Sequence, residues 1–315
     1  MTSRLQSSPS QAPAYFDLQV NGYGGVDFNQ DELTADDLHR ACEHLRRDGT
    51  SQILATIITE KIDLMAGRVR RIAALRERDP LAREVIAGIH IEGPFLLESQ
   101  GYLGAHPLDA AKPANLDDAK TLFDACGGLL KIVTLAPERD AGFAVTRWLA
   151  KQSVTVSAGH TDASLDQLKG AADAGLTMFT HVGNGCPMYG MHRHDNIIQR
   201  ALHLRDRLWL CFIADGVHVP PVALANYLAL AGDRAVVVTD AIAPAGLGPG
   251  RYQLGRWDLM IGEDMVARAP DGSHFIGAAI TMRQSHANLR EKLGLSEERC
   301  RQLLVDNPRR VLRLN

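Results

Sequence analysis

The chain has 315 residues, 45% apolar and 23% charged, with a formal net charge of −3; these are the values of an ordinary globular protein with an ample core. Such a charge excludes the basic footprint of a nucleic-acid or anionic-membrane partner, and no apolar run nears the ~18 residues of a membrane span. Cys42, Cys126, Cys186, Cys211 and Cys300 lie scattered without CxxC spacing, which reads as reduced thiols and a cytoplasmic location.

In chain order, residues 1–14 (MTSRLQSSPSQAPA) are polar, lack the apolar core of a signal peptide, and read as a disordered leader before a single domain over 15–315. Apolar or β-branched runs then recur at 15–22, 52–59, 85–93, 129–138, 154–160, 176–181, 208–216 and 235–240. Amphipathic patterns alternate with them. Examples are ADDLHRACEHLRRDG (35–49) and SLDQLKGAADAG (164–175), the latter opened by Ser164 and closed by Gly175. This alternation predicts a parallel sheet, and eight repeats predict a (β/α)8 barrel whose site forms at the C-terminal ends of the strands. An open doubly wound sheet is the alternative. Residues 244–277 read as a hairpin excursion after the eighth strand, with GLGPG (246–250) as a turn. TMRQSHANLREKLG and SEERCRQLLVDNPRRVL complete the helical ring.

The chemistry lies at the strand ends. Glu92 ends the third run, His160 the fifth and His181 the sixth; Asp215 and His218 follow the seventh, and Asp240 ends the eighth. A carboxylate inside a barrel is costly unless a cation or partner compensates it. Two imidazoles and a carboxylate suit a zinc-type site that keeps one position for water, whose pKa a bound metal lowers towards ~7. Asp240 is then placed to accept the water's proton and pass it on. His90, one layer below Glu92, reads as a supporting residue and not a ligand. His39, His44, His203 and His286 fall in helical patterns or their flanks and read as surface residues.

The runs DLQVNGYGGVDFN, GIHIEGPF, GAHP, VTLAPE, VSAGHTDAS, THVGNGCPM, IADGVHV and VTDAIAPAG occur in that order. Together they resemble the N-acetylglucosamine-6-phosphate deacetylase family of the amidohydrolase superfamily, from Asp17 to Asn315. The resemblance implies Glu92, His160 and His181 as ligands of a divalent metal, Asp240 as general base and acid, and His106 as the group that helps polarise the acetamide carbonyl. It implies that His218 contacts a sugar hydroxyl, and that Ala105, Asn184 and Gly185 approach the substrate. Arg193, in MYGMHRHDN, is the candidate for the phosphate, since a guanidinium suits a phosphate dianion better than an imidazole does.

Where many amidohydrolases carry His-x-His, this chain has Gln19 and Asn21, weak neutral ligands that read as a hydrogen-bonded barrel floor. One metal ion per chain is therefore expected, with zinc first and iron, manganese or cobalt acceptable to the same donors. Family members usually add a small β-sandwich, which is expected to be missing here, and the resemblance implies a homodimer. The expected activity is hydrolysis of the N-acetyl group of N-acetylglucosamine 6-phosphate. A related amidohydrolase acting on another acylated amino sugar or amide, and a non-catalytic sugar-phosphate-binding barrel, remain open alternatives.

Overall fold

The computed structural model describes residues 14–254, 257–268 and 275–314; most of the expected leader, residues 1–13, lies outside them. Eight parallel strands form one sheet in sequence order. They are β1 (Tyr15–Val20), β2 (Thr50–Ile58), β3 (Ile86–Glu92), β4 (Leu130–Leu135), β5 (Thr155–Ala158), β6 (Leu176–Phe179), β7 (Trp209–Ile213) and β8 (Ala235–Val238). A helix follows each of the first seven. They are α1 (Ala35–Arg47), α2 (Ile62–Arg78), α3 (Leu116–Ala125), α4 (Ala144–Lys151), α5 (Leu165–Ala174), α6 (Ile197–His203) and α7 (Pro221–Ala231). The fold is the nearly closed (β/α)8 barrel that the alternating pattern predicts.

Local chemistry sets the helix ends. Thr34 with Asp37 and Ser164 with Gln167 form capping boxes that satisfy the first backbone donors of α1 and α5. Gly175, at φ 116°, closes α5 in the left-handed region open to glycine. After β8 the chain departs from the expected single hairpin. Four antiparallel strands, β9 (Gly250–Leu254), β10 (Trp257–Ile261), β11 (Val266–Arg268) and β12 (Phe275–Ala278), form a second sheet. The Gly246–Gly248 stretch is a turn, as expected, and α8 (Met282–Glu291) resumes the ring. The last predicted helix is broken by a π-turn over Gln302–Asp306. Directly after it, Asn307 donates its side-chain amide to the carbonyls of Asp233 and Ala235 at the start of β8 (3.1 and 2.7 Å).

The barrel interior is layered. Phe16, Leu18, Ile132, Met178, Ile213 and Val236 form an apolar plug. Above it a polar layer runs from His90 Nε2 to Thr134 (2.8 Å), on to Thr180 (2.7 Å) and to Ser157 (2.6 Å); His90 Nδ1 donates to the Leu18 carbonyl at 3.1 Å. The seam between β1 and β8 closes mainly through loops and side chains. Val20 and Ala241 form a parallel bridge, Asn21 N donates to the Ala241 carbonyl at 2.7 Å, and the buried Asp17 carboxylate accepts the backbone N–H (3.2 Å) and the hydroxyl of Thr239.

Candidate metal centre and active site

The β3 pattern delivers Glu92 as its last residue, whereas three other candidates lie two residues beyond their strands. His160 follows β5, His181 follows β6 and Asp240 follows β8, at φ 52°, 33° and 54°. The sequence had carried each of these strands to the polar residue itself. Left-handed backbone at non-glycine residues costs energy and persists only where the surroundings hold it. Here it turns each side chain inward at the C-terminal mouth.

The four groups meet around one carboxylate. Glu92 is 2% exposed; its Oε1 lies 2.9 Å from His181 Nε2 and 3.3 Å from His160 Nε2, and its Oε2 lies 3.9 Å from His106 Nε2. Ligand atoms of Glu92, His106 and His160 all fall within 4.8 Å of one another. The rings of His106 and His160 meet edge to face at 4.4 Å, and those of His160 and His181 at 4.9 Å.

Proton positions test whether a metal fits. His160 Nδ1 faces the Tyr102 carbonyl at 2.8 Å. A carbonyl can only accept, so Nδ1 carries a hydrogen, and Nε2 is the ring atom turned to the Glu92 carboxylate. Glu92 Oε1 thus has two imidazole Nε2 atoms within 3.3 Å in a buried site, a convergence of nitrogen and oxygen donors of the kind a divalent cation takes. Glu92, His160 and His181 suit a divalent cation by donor type, although the tightest three-residue grouping joins Glu92 and His160 with His106 and not with His181.

Charge is distributed accordingly. Burial opposes ionisation of Glu92, but His160 and His181 outweigh it and hold the carboxyl well below its usual range. Burial, then the facing His160, pushes His106 down to about 3. For Asp240, burial first and then the Glu92 charge push the carboxyl up to about 6.

Gln19 and Asn21 hydrogen-bond as expected, but at the mouth and not at a floor. Gln19 Nε2 reaches both Glu92 oxygens at 3.2 Å and Asp240 Oδ1 at 3.0 Å; Asn21 Nδ2 reaches Asp240 Oδ1 at 2.7 Å. The β1–β2 register slips between Asp17 and Val20. Such an irregularity re-aims a side chain that simple alternation would place elsewhere.

The remaining candidates divide. His218 Nδ1 bonds Asp215 Oδ2 at 2.5 Å, and its ring lies 4.9 Å from Phe275 of β12. Asn184 folds its amide back onto the His181 carbonyl at 3.3 Å. Gly185 (φ 60°) lies against the His160 imidazole, where an added Cβ would sit 3.0 Å from Nδ1. Ala105 packs against the β9–β12 sheet cluster. Arg193 stands exposed in the loop after β6, and no described hydrogen bond or ion pair ties it to Glu92. His39 and His203 are exposed as expected, but His44 and His286 are half-buried. His286 Nδ1 bonds the Tyr15 hydroxyl at 2.7 Å, and nothing in its own helix pattern signals that partner 271 residues away.

Sequence reasoning missed Thr59 and Tyr102, which orient His106 and His160. Thr59 lies just past the end of β2 and bonds His106 Nδ1 at 2.8 Å; its place beside a strand end was the available signal. Tyr102 acts through its backbone carbonyl, which no residue pattern reports. Among the described residues no helix is long and apolar enough to cross a membrane.

No family model matches the chain. It is 30% identical over 300 residues to N-acetylgalactosamine-6-phosphate deacetylase of Escherichia coli O157:H7, covering 95% of this chain and 77% of that one. To N-acetylglucosamine-6-phosphate deacetylase of Bacillus subtilis it is 32% identical over 283 residues, covering 89% and 69%. Among solved structures, a mutant N-acetyl-D-glucosamine-6-phosphate deacetylase of Mycobacterium smegmatis in complex with N-acetyl-D-glucosamine-6-phosphate superposes with a TM-score of 0.85. It is 30% identical, covering 98% of this chain and 82% of that one.

Proposed function

The chain belongs to the N-acetylglucosamine-6-phosphate deacetylase family, and on that footing we propose that it hydrolyses N-acetylglucosamine 6-phosphate to glucosamine 6-phosphate and acetate. The observation that carries this reading is the convergence of His160 and His181 Nε2 on Glu92 Oε1, with Asp240 beside the same carboxylate.

Glu92, His160 and His181 would hold one divalent ion, zinc by donor type, with iron, manganese and cobalt acceptable. Such an ion supplies Lewis acidity that acidifies water and polarises a carbonyl. Gln19 and Asn21 turn their amide hydrogens to carboxylates, which supports one ion per chain and not two.

Asp240 accepts the proton of the attacking water and returns it to the amine nitrogen as the C–N bond breaks. Gln19 and Asn21 both donate to Oδ1, which leaves Oδ2 as the oxygen that carries the proton. A carboxyl raised to about 6 is suited to a base that works near neutral pH. The Thr59 hydroxyl lies 2.8 Å from His106 Nδ1 and 3.2 Å from the Glu92 carbonyl. Thr59 donates its hydrogen to the Glu92 carbonyl and fixes the His106 ring with Nε2 toward the Glu92 carboxylate, from where His106 would polarise the carbonyl oxygen as it gains charge. Asp215 holds the His218 ring through Nδ1, which leaves Nε2 as the atom to meet a sugar hydroxyl. Arg193 would meet the phosphate, with Ala105, Asn184 and Gly185 against the sugar. We place the enzyme in the cytoplasm, where sugar phosphates are made. The exposed Met188 and Tyr189 in the Arg193 loop support a homodimer, which sedimentation tests.

The likeness to the E. coli O157:H7 relative favours one second reading, the galacto epimer of the same phosphorylated substrate. Acetate release from both acetylhexosamine 6-phosphates and from unphosphorylated N-acetylglucosamine decides among them. No acetate from any of the three refutes the deacetylase reading.

A further inference from the structure

Arg200 of α6 takes no part in the chemistry above, yet its side chain is only 15% exposed and its guanidinium makes five hydrogen bonds. Nε donates to Asp195 Oδ1 (2.6 Å) and Nη2 to the Asp195 carbonyl (3.1 Å). The two Nη1 hydrogens are shared among the Asp162 carbonyl (3.2 Å), Asp162 Oδ1 (3.1 Å) and the Ala163 carbonyl (3.2 Å). Asp162 and Ala163 follow His160 in the loop after β5. Asp195 ends the loop after β6, which starts at His181 and passes through Asn184, Gly185 and Arg193.

Both ends of this grip are braced. Glu138, beyond β4, accepts the Asp162 N–H at 2.7 Å and the Thr161 hydroxyl. His192 Nδ1 accepts the N–H groups of Asp195 (2.9 Å) and His194 (3.3 Å), and Asn196 donates to the His192 carbonyl at 3.0 Å. Segment 192–196, which includes Arg193, is therefore tied together and then tied to the β5 loop. The near end of the same loop lies against the centre, since a Cβ added at Gly185 would sit 3.0 Å from His160 Nδ1. Asp195 and Asp162 are exposed partners, so either ion pair alone contributes little. The fixed geometry comes from one planar fork that satisfies two carboxylates and three carbonyls at once.

We propose that Arg200 is a positioning residue, a clamp that sets the β6 loop over the metal centre and thereby the affinity for the phosphorylated end of the substrate. The substrate half rests on the function proposed above; the clamp itself does not. Removing the fork should free segment 192–196, which includes Arg193, while leaving Asn184, Gly185, Glu92, His160, His181 and Asp240 in place.

The test compares the metal-loaded parent with Arg200→Met and Asp195→Asn. It uses hydrogen exchange of residues 192–196, metal content, and kinetics on N-acetylglucosamine 6-phosphate and on plain N-acetylglucosamine. Exchange should quicken about tenfold in both variants, with metal content unchanged. KM for the phosphorylated sugar should rise about tenfold while kcat stays within about twofold, and KM for the plain sugar should move less than about twofold, as expected if only the phosphate end loses its contact. A residue that served stability alone would not produce that split. Unchanged exchange in both variants overturns the clamp, whatever the enzyme acts on. Faster exchange with equal KM changes for the two sugars overturns the link to the phosphate. If the parent releases acetate from neither sugar, the deacetylase reading fails and exchange alone judges the clamp. Should Arg200→Met misfold, Asp195→Asn carries the test, because it spares the contacts at Asp162 and Ala163.

Discussion

Asn21 and Asp240 meet across the barrel seam, the Asn21 amide donating to Asp240 Oδ1 at 2.7 Å. Burial, and next the Glu92 charge, push Asp240 up to about 6, and the Asn21 bond pulls it down. Asp240 acts as a base only when ionised. Acetate release should therefore fall as pH drops through about 6, and Asn21→Leu should move that acid limb to higher pH. A limb that stays put in the kcat/KM profile of Asn21→Leu would remove Asp240 as the titrating base.

Asp240→Asn keeps the side-chain shape but cannot carry a proton. Turnover should drop by about 10³-fold, while metal content and substrate binding stay close to the parent values. Calorimetric titration with substrate, alongside acetate release, separates the two effects. Near-parent turnover would refute the assignment.

Chelation should abolish acetate release, and adding back one equivalent of zinc, iron, manganese or cobalt should restore it. His160→Asn should weaken metal retention by at least about 10-fold. Elemental analysis after dialysis reads the stoichiometry. Two tightly held equivalents per chain would contradict the part given to Gln19 and Asn21.

Asp17 links pH to stability. Burial pushes its carboxyl up to about 7 from 3.8, against the pull of the Thr239 and Gln19 hydrogen bonds. An acid raised on folding stabilises the fold while it is protonated in the folded state. That contribution is full below 3.8 and is lost as pH rises to about 7, on the order of 4 kcal/mol in all. Asp17→Asn should flatten the pH dependence of unfolding free energy between 4 and 7. Denaturant melts that keep the parent slope would place the linkage elsewhere.

Gly185→Ala combines two costs. At φ 60° a side chain costs about 1–2 kcal/mol, and its Cβ would press on the His160 ring at 3.0 Å. Thermal melts should show the loss of stability, and metal retention should weaken with it. An unchanged metal affinity would show that the loop yields without moving His160.

Legibility in the sequence followed burial. Runs such as VTVSAGH and AVVVTD announce strands because parallel barrel strands are buried on both faces and read as continuous apolar segments. Their ends were misjudged by two residues, since the left-handed turns at His160, His181 and Asp240 have no apolar signature. The second sheet was reduced to a hairpin because its short, glycine-punctuated strands show no strong alternation. Gln19 was misplaced for another reason: its direction depends on a register slip against β2. No local pattern singles out Arg200, because its Asp162 partner lies 38 residues away.

The amino-acid order by itself determined the count and succession of the barrel strands, and which chemical groups stand where they end, because hydrophobic periodicity is a local property. Only the tertiary structure decided which of those groups face one another. Barrel closure at Asp17–Thr239, the register slip at Gln19 and the Tyr102 carbonyl behind His160 orient the donors. Those orientations follow from backbone torsions and contacts between distant segments, which no local pattern contains.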